Sequence, residues 1–206
     1  ERSCTFIRDD GNYYYRSPSS DSNRKTFTYS CWYKRALLSY SIGNVFEQKQ
    51  NGQNYQVAFF RDDDKFEFHG YTSSGGNQYT NRFVTTQKFR DVSSWYHIII
   101  AVDTTQATAS NRVKIYVNGS QVTDFDTETY PSQNFDTFVN TTQQLRLGNG
   151  QAGSQAFDGY MSEIWHYDGR QLEPTHFGYT ESQSAIWRPK KIENPYSTPN
   201  LSLIHI

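Results

Sequence analysis

Residues 95–119 read WYHIIIAVDTTQATASNRVKIYVNG, from Trp95 to Gly119, and this stretch decides the fold. It opens with the unbroken apolar run Ile98-Ile99-Ile100-Ala101-Val102 and, after a polar loop, alternates Val113, Ile115 and Val117 with Lys114 and Tyr116. β-Branched residues in these two patterns fit a pleated sheet, and a polar loop between them makes a hairpin. A one-sided strand alternates, so the continuous run predicts a central strand covered on both faces. Asn118-Gly119 then supplies the two residues that most readily take the positive φ angles of a type I′ turn, which doubles the chain back into Ser120–Asp124. The expectation is a meander at the centre of a two-layer β structure.

Working outward, the flanking sequence repeats the theme. Phe27, Tyr29, Cys31 and Tyr33 alternate with polar neighbours across Lys25–Arg35. Shorter strands are expected at Ile42–Lys49, Tyr55–Phe60, Lys65–His69, Gln144–Leu147 and Phe157–Tyr167, with two more within Glu1–Arg16. Tyr71–Arg82 and Asp124–Thr142 read as polar loops. Helix is expected once, near Leu172–Gly178, where Pro174 suits a first turn and Gly178 a C-terminal cap.

Composition narrows the function classes. The 206 residues suit one all-β domain with a core of its own. Aromatics reach 17% against 35% hydrophobics, so Tyr and Phe supply much of the core volume. With 20 Lys plus Arg against 21 Asp plus Glu, the net charge of −1 leaves no electrostatic footprint for nucleic acid or an anionic membrane. No apolar run is long enough to span a membrane and no signal peptide is expected. Glu1 in place of Met suggests a trimmed or incomplete N-terminus. Cys4 and Cys31 can pair only if their strands are neighbours, which sequence leaves open, with free thiols the preferred reading.

Five segments then carry a family likeness: FTYSCWYKR (Phe27–Arg35), WYHIIIAVD (Trp95–Asp103), NRVKIYVNG (Asn111–Gly119), LRLGNG (Leu145–Gly150) and FDGYMSEIWHYDGRQLEPTHFG (Phe157–Gly178). In this order they resemble the laminin-G-like, concanavalin A-like jelly rolls. Gly159-Tyr160-Met161-Ser162-Glu163 followed by Trp187-Arg188-Pro189-Lys190 is similar, more narrowly, to domains of marine phage and viral metagenomic proteins. The likeness implies an all-β, two-sheet antiparallel jelly-roll sandwich over residues 1–191. It also implies a glycan- or surface-ligand-binding module in a virion appendage such as a tail fibre, virion or extracellular in location and in contact with other virion proteins. A purely structural or oligomerising domain is the alternative, and a glycoside hydrolase the third and least favoured reading. The chain departs from the subgroup after Lys191. Residues 192–200 read as a truncated tail, and Leu201–Ile206, LSLIHI, is what a transposon-end sequencing adapter encodes, so it is set aside as an artefact.

Candidate chemistry follows from residue types. Glucanases of this architecture carry E-x-D strands. Here Glu163 precedes Ile164-Trp165, Glu67 precedes Phe68-His69, and Glu163 and Asp168 are odd in separation, so no catalytic residue and no enzyme activity is expected. Tyr71 and Tyr79 bracket Asn77 and Gln78, and Tyr40, Asn51, Asn54 and Tyr55 lie together. These are the aromatic faces and polar partners that a sugar ring requires. Asp62 and Asp64, with Asp124 and Asp126, are the candidate ligands for calcium, which takes oxygen donors. His69, His97, His166 and His176 show no zinc spacing and read as core or surface residues. Trp32, Trp95, Trp165 and Trp187 read as packing residues.

Overall fold

The computed structural model describes residues 3–39, 42–51, 53–76, 78–150, 153 and 155–192. Its strands are β1 (Ser3–Phe6), β2 (Tyr14–Arg16), β3 (Thr26–Arg35), β4 (Gly43–Asn51), β5 (Asn54–Phe60), β6 (Lys65–Thr72), β7 (Gln78–Lys88), β8 (Tyr96–Asp103), β9 (Val113–Val117), β10 (Ser120–Gln121), β11 (Phe125–Thr129), β12 (Leu145–Leu147), β13 (Gly159–Asp168), β14 (Gly178–Thr180) and β15 (Trp187–Pro189). They form a six-stranded sheet in the order β1-β13-β3-β8-β9-β10 and a seven-stranded sheet in the order β11-β7-β6-β5-β4-β12-β2, with β14-β15 a separate hairpin. All strand pairings within these sheets are antiparallel. This is the jelly-roll sandwich the sequence predicts.

The stretch that led the reading sits where the pattern requires. β8 pairs with both β3 and β9, and its residues alternate between two cores. Ile98, Ile100 and Val102 enter the core between the sheets, beside Phe27, Tyr29, Phe60 and Phe68. Ile99 and Ala101 face the other way, into a second cluster with Tyr116, Trp165, Tyr167 and Phe177. The chain after β13 builds that second cover, with Leu172 and Ile192 packed against it. A strand buried on both faces has no polar side, hence the unbroken apolar run. Asn118 (φ 48°) and Gly119 (φ 82°) hold the expected left-handed pair before β10.

Three local expectations are corrected. Tyr71–Arg82 is strand at both ends, since β6 continues to Thr72 and β7 begins at Gln78. Gly75 and Gly76, at φ 80° and 102°, confine the turn to a few residues. Asp124–Thr142 contains β11, an edge strand whose FDTET alternates too weakly to read. The expected helix is a single 3-10 turn, Pro174–His176, and no α-helix occurs among the described residues.

Cys4 on β1 and Cys31 on β3 are both free thiols, with β13 lying between their strands. Two strand spacings of about 4.8 Å exceed the reach of a disulfide. Of the expected tail and adapter segment, Ile192 is described and the remainder, from 193 onward, lies outside the described residues. Among the described residues, no helix is long and apolar enough to cross a membrane.

Candidate functional site

Strand register assembles a site on the outer face of the seven-stranded sheet. Directly opposed residues share a face, so pairings can be followed from strand to strand. Tyr15 opposes Arg146, Arg146 opposes Glu47, Glu47 opposes Val57, Val57 opposes His69, and His69 opposes Arg82. This row crosses six strands, a span of about 24 Å at about 4.8 Å per strand. The neighbouring row runs Lys49, Tyr55, Tyr71, Tyr79. Inward-facing Phe46, Ala58, Phe68 and Phe83 on the same strands fill the core. Alternation therefore leaves the tyrosines and charges outside.

The second row is an aromatic platform. Tyr55 and Tyr71 stack with centroids 5.4 Å apart, and Tyr79 meets Tyr71 edge-on at 5.6 Å. Lys49 Nζ lies over the Tyr55 ring and the Arg82 guanidinium over Tyr79, 5.7 and 4.5 Å from the centroids. Farther along the face Arg146 covers Tyr13 at 4.5 Å, beside Tyr15. Tyr79 and Tyr15 are 43% and 58% exposed, open enough to receive a ligand.

Glu67, on the same face, organises the polar part. Its buried carboxylate accepts from Arg82 Nε at 2.8 Å, from Arg61, and from His69 Nδ1 at 2.8 Å. Burial alone would raise its pKa, but the hydrogen bonds from His69, Arg82 and Arg61 outweigh that and hold it at about 2. An ionised carboxylate only accepts, so His69 Nδ1 is the donor. Nε2 is the other polar atom of the ring. It is buried without a partner, in a ring that packs edge-on against Tyr55, Phe59 and Tyr79. An unmade buried hydrogen bond costs about 1–3 kcal/mol, and such exceptions are rare in folded proteins.

Of the residues singled out for sugar binding, Tyr55, Tyr71 and Tyr79 come together on this platform. Asn54 and Gln78 stand at the strand ends beside it, Asn54 accepting from Thr72 Oγ1 at 2.7 Å and Gln78 opposing Thr72. Tyr40 and Asn77 lie outside the described residues. Arg82 and Arg146 escaped the sequence reading, and Glu67 and His69 entered it only as a glutamate outside an E-x-D pattern and a core or surface histidine. The available signal was Glu67-x-His69-x-Tyr71, one face of a strand at period two.

The acidic candidates have other partners. Asp64, with φ 65° in the β5–β6 turn, is buried and accepts from the Ser39 backbone at 2.7 Å, Arg35 at 3.1 Å and Arg90 at 3.0 Å. Asp62 is exposed in the same turn, Asp124 accepts from Thr86 Oγ1, and Asp126 is paired with Lys65. Among the described residues no three His, Cys, Asp or Glu side chains are grouped to hold an ion. Glu163 and Asp168 are also kept apart: Glu163 lines the outer face of the six-stranded sheet, while Asp168 binds Asn23 N and Asn140 Nδ2, both at 3.1 Å.

Solved structures share this architecture at low identity. A heptameric SAP-like pentraxin from Limulus polyphemus is 14% identical, with a TM-score of 0.56 over 82% of this chain and 76% of that one. Domain 4 of AbnA, an extracellular arabinanase from Geobacillus stearothermophilus, solved with arabinotriose, is 18% identical, with a TM-score of 0.52 over 83% of each chain. Tailspike protein 2 of an Escherichia coli O157:H7 bacteriophage is 9% identical, with a TM-score of 0.52 over 84% of this chain but 23% of its own. At such identities the likeness establishes the fold. No curated protein matches the chain. The family profile of the concanavalin A-like lectin/glucanases superfamily, Laminin_G_3, matches residues 9–176, and the chain belongs to that superfamily.

Proposed function

We propose that this domain is a non-catalytic carbohydrate-binding module whose ligand lies along the outer face of the seven-stranded sheet. The observation that carries the reading is the aromatic platform of Tyr55, Tyr71 and Tyr79, ring against ring along the outer face with Tyr79 open to solvent. A sugar suits this surface: an apolar C–H face for the tyrosines and hydroxyls for the polar side chains around them. Positive and negative side chains alternate along the face and are paired, Arg82 with Glu67 and Lys49 with Glu47, which favours a neutral glycan over an anionic one. The length of the row suits several sugar units in line.

The absence of a paired-carboxylate strand pattern supports binding without hydrolysis. Glu67 is held ionised by its cations and cannot serve as a general acid near neutral pH. The arabinotriose-bound arabinanase domain and the phage tailspike, both of this fold, support a glycan-recognition module of an extracellular or virion appendage. A broad glycan array, with and without calcium, tests the reading. Wild type is expected to bind a set of neutral oligosaccharides, and the Tyr71→Ala/Tyr79→Ala variant to lose roughly tenfold or more in affinity. A blank array in both conditions overturns it.

A further inference from the structure

A second cavity lies on the other sheet. A cleft of about 560 Å³ opens on the outer face of the six-stranded sheet, against the β14–β15 hairpin, and Trp32, Trp95 and Trp187 line it together with Glu163 and Arg188. That volume falls in the range of small-molecule sites.

Its aromatic wall is fixed in place. Trp187 Nε1 donates to His97 Nδ1 at 2.9 Å, so His97 carries its proton on Nε2 and donates it to Ser30 Oγ at 2.8 Å. Trp32 stacks on the same imidazole at 4.7 Å and 11°. Gly119 and Gly178 admit the Trp187 ring, since a Cβ would stand 2.5 Å and 2.4 Å from it. Trp32 and Trp187 thus form a preorganised surface.

Glu163 is the unusual member. β13 carries a bulge here: Ser162 opposes Trp32 and Trp165 opposes Ser30, so three steps on β13 answer two on β3. The extra residue directs Glu163 into the cleft at φ 49°, a left-handed backbone that is strained for a residue with a side chain. Among the described residues its carboxylate has no hydrogen-bond or ion-pair partner and Arg188 is the one cation of the lining, itself paired with Glu181 at 3.2 Å. Among the described residues, the negative charge of the cleft is therefore uncompensated.

The two faces of the molecule differ in a telling way. On the seven-stranded sheet the protein's own cations cover Tyr13, Tyr55 and Tyr79. No described cation covers Trp32, Trp95 or Trp187. Indole is the aromatic ring that attracts cations best, and an unpaired carboxylate beside it selects for positive charge. We infer that this cleft is a second ligand site, independent of the glycan-binding face, for an organic ammonium ion of the methylated-amine class, its alkyl groups against the tryptophans and its charge beside Glu163.

Intrinsic tryptophan fluorescence of the full chain reports on the cleft. Titration with tetramethylammonium chloride, against sodium chloride at equal ionic strength, is expected to give a saturable change. Neopentyl alcohol, of similar size but neutral, is expected to give none. Glu163→Gln should weaken the ammonium response roughly tenfold, while Tyr71→Ala/Tyr79→Ala leaves it unchanged. Two further arms identify the natural source: saturation by glycine betaine without vesicle binding assigns a soluble ligand, and co-sedimentation with phosphatidylcholine but not phosphatidylglycerol vesicles assigns a lipid headgroup. An equal response to neopentyl alcohol, an unchanged response in Glu163→Gln, or no saturable response to the ammonium ion overturns the proposal.

Discussion

Lowering the pH from 7 to 5 should remove about 4 kcal/mol of folding stability through two buried imidazoles, His97 and His166. Both are within 1% of full burial. Ser30, Trp32 and Trp187 enclose His97, and His166 stacks on Phe27 with Nε2 2.7 Å from Asn140 Oδ1. Burial disfavours the charged ring and lowers each pKa from 6.5 to about 3, with Arg16 adding to the effect at His166. The unfolded chain therefore takes up protons below pH 6.5 that the folded chain refuses until near pH 3. Stability is full above 6.5 and falls through that window. At pH 5 each residue costs about 2 kcal/mol, from roughly 1.4 kcal/mol per pH unit over about 1.5 units. Against a typical total of about 5–15 kcal/mol, this is a large fraction. Urea unfolding at pH 7, 6 and 5 measures it, and His166→Gln, which keeps a polar partner for Asn140 but does not titrate, should halve the slope whatever it does to the absolute stability. A flat profile between pH 7 and 5, or an unchanged slope in the variant, would refute the reasoning.

Three further outcomes are expected. Glu67→Gln should cost about 3 kcal/mol at pH 7, since the carboxyl lies about 2.5 pH units below its ordinary value, and the melting temperature should fall by about 6–12 °C in calorimetry. Gly159→Ala should cost about 3 kcal/mol or more, because Gly159 has φ 143° and a Cβ would stand 2.1 Å from the Lys34 carbonyl oxygen; chemical denaturation checks it. Glu163→Gly should leave the protein as stable as wild type or up to about 1 kcal/mol more so, by releasing the left-handed strain, and should abolish the fluorescence response to tetramethylammonium.

Local patterning carried much of the fold. The run Ile98–Val102 announced a strand covered on both sides, the alternation Phe27-x-Tyr29-x-Cys31-x-Tyr33 announced its neighbour, and Asn118-Gly119 announced the turn, because periodicity and turn chemistry act over a few residues. The misreadings have the same origin. Tyr71–Arg82 looked like one polar loop because Gly75 and Gly76 stand beside strand ends built from Tyr, Thr, Asn and Gln, and β11 was lost because an edge strand buries little and alternates weakly.

The sequence by itself determined the all-β class, the central meander, and Tyr55, Tyr71 and Tyr79 as candidate aromatics. Only the tertiary structure decided what stands beside them. Tyr15, Arg146, Glu47, His69 and Arg82 form one row through registers that join residues as far apart in the chain as Tyr15 on β2 and Arg146 on β12. The second cleft likewise arises where the bulge at Glu163 meets Trp32 and the hairpin bearing Trp187. Side-chain alternation is set by each residue's own backbone, whereas strand order and register are set by burying the whole core at once.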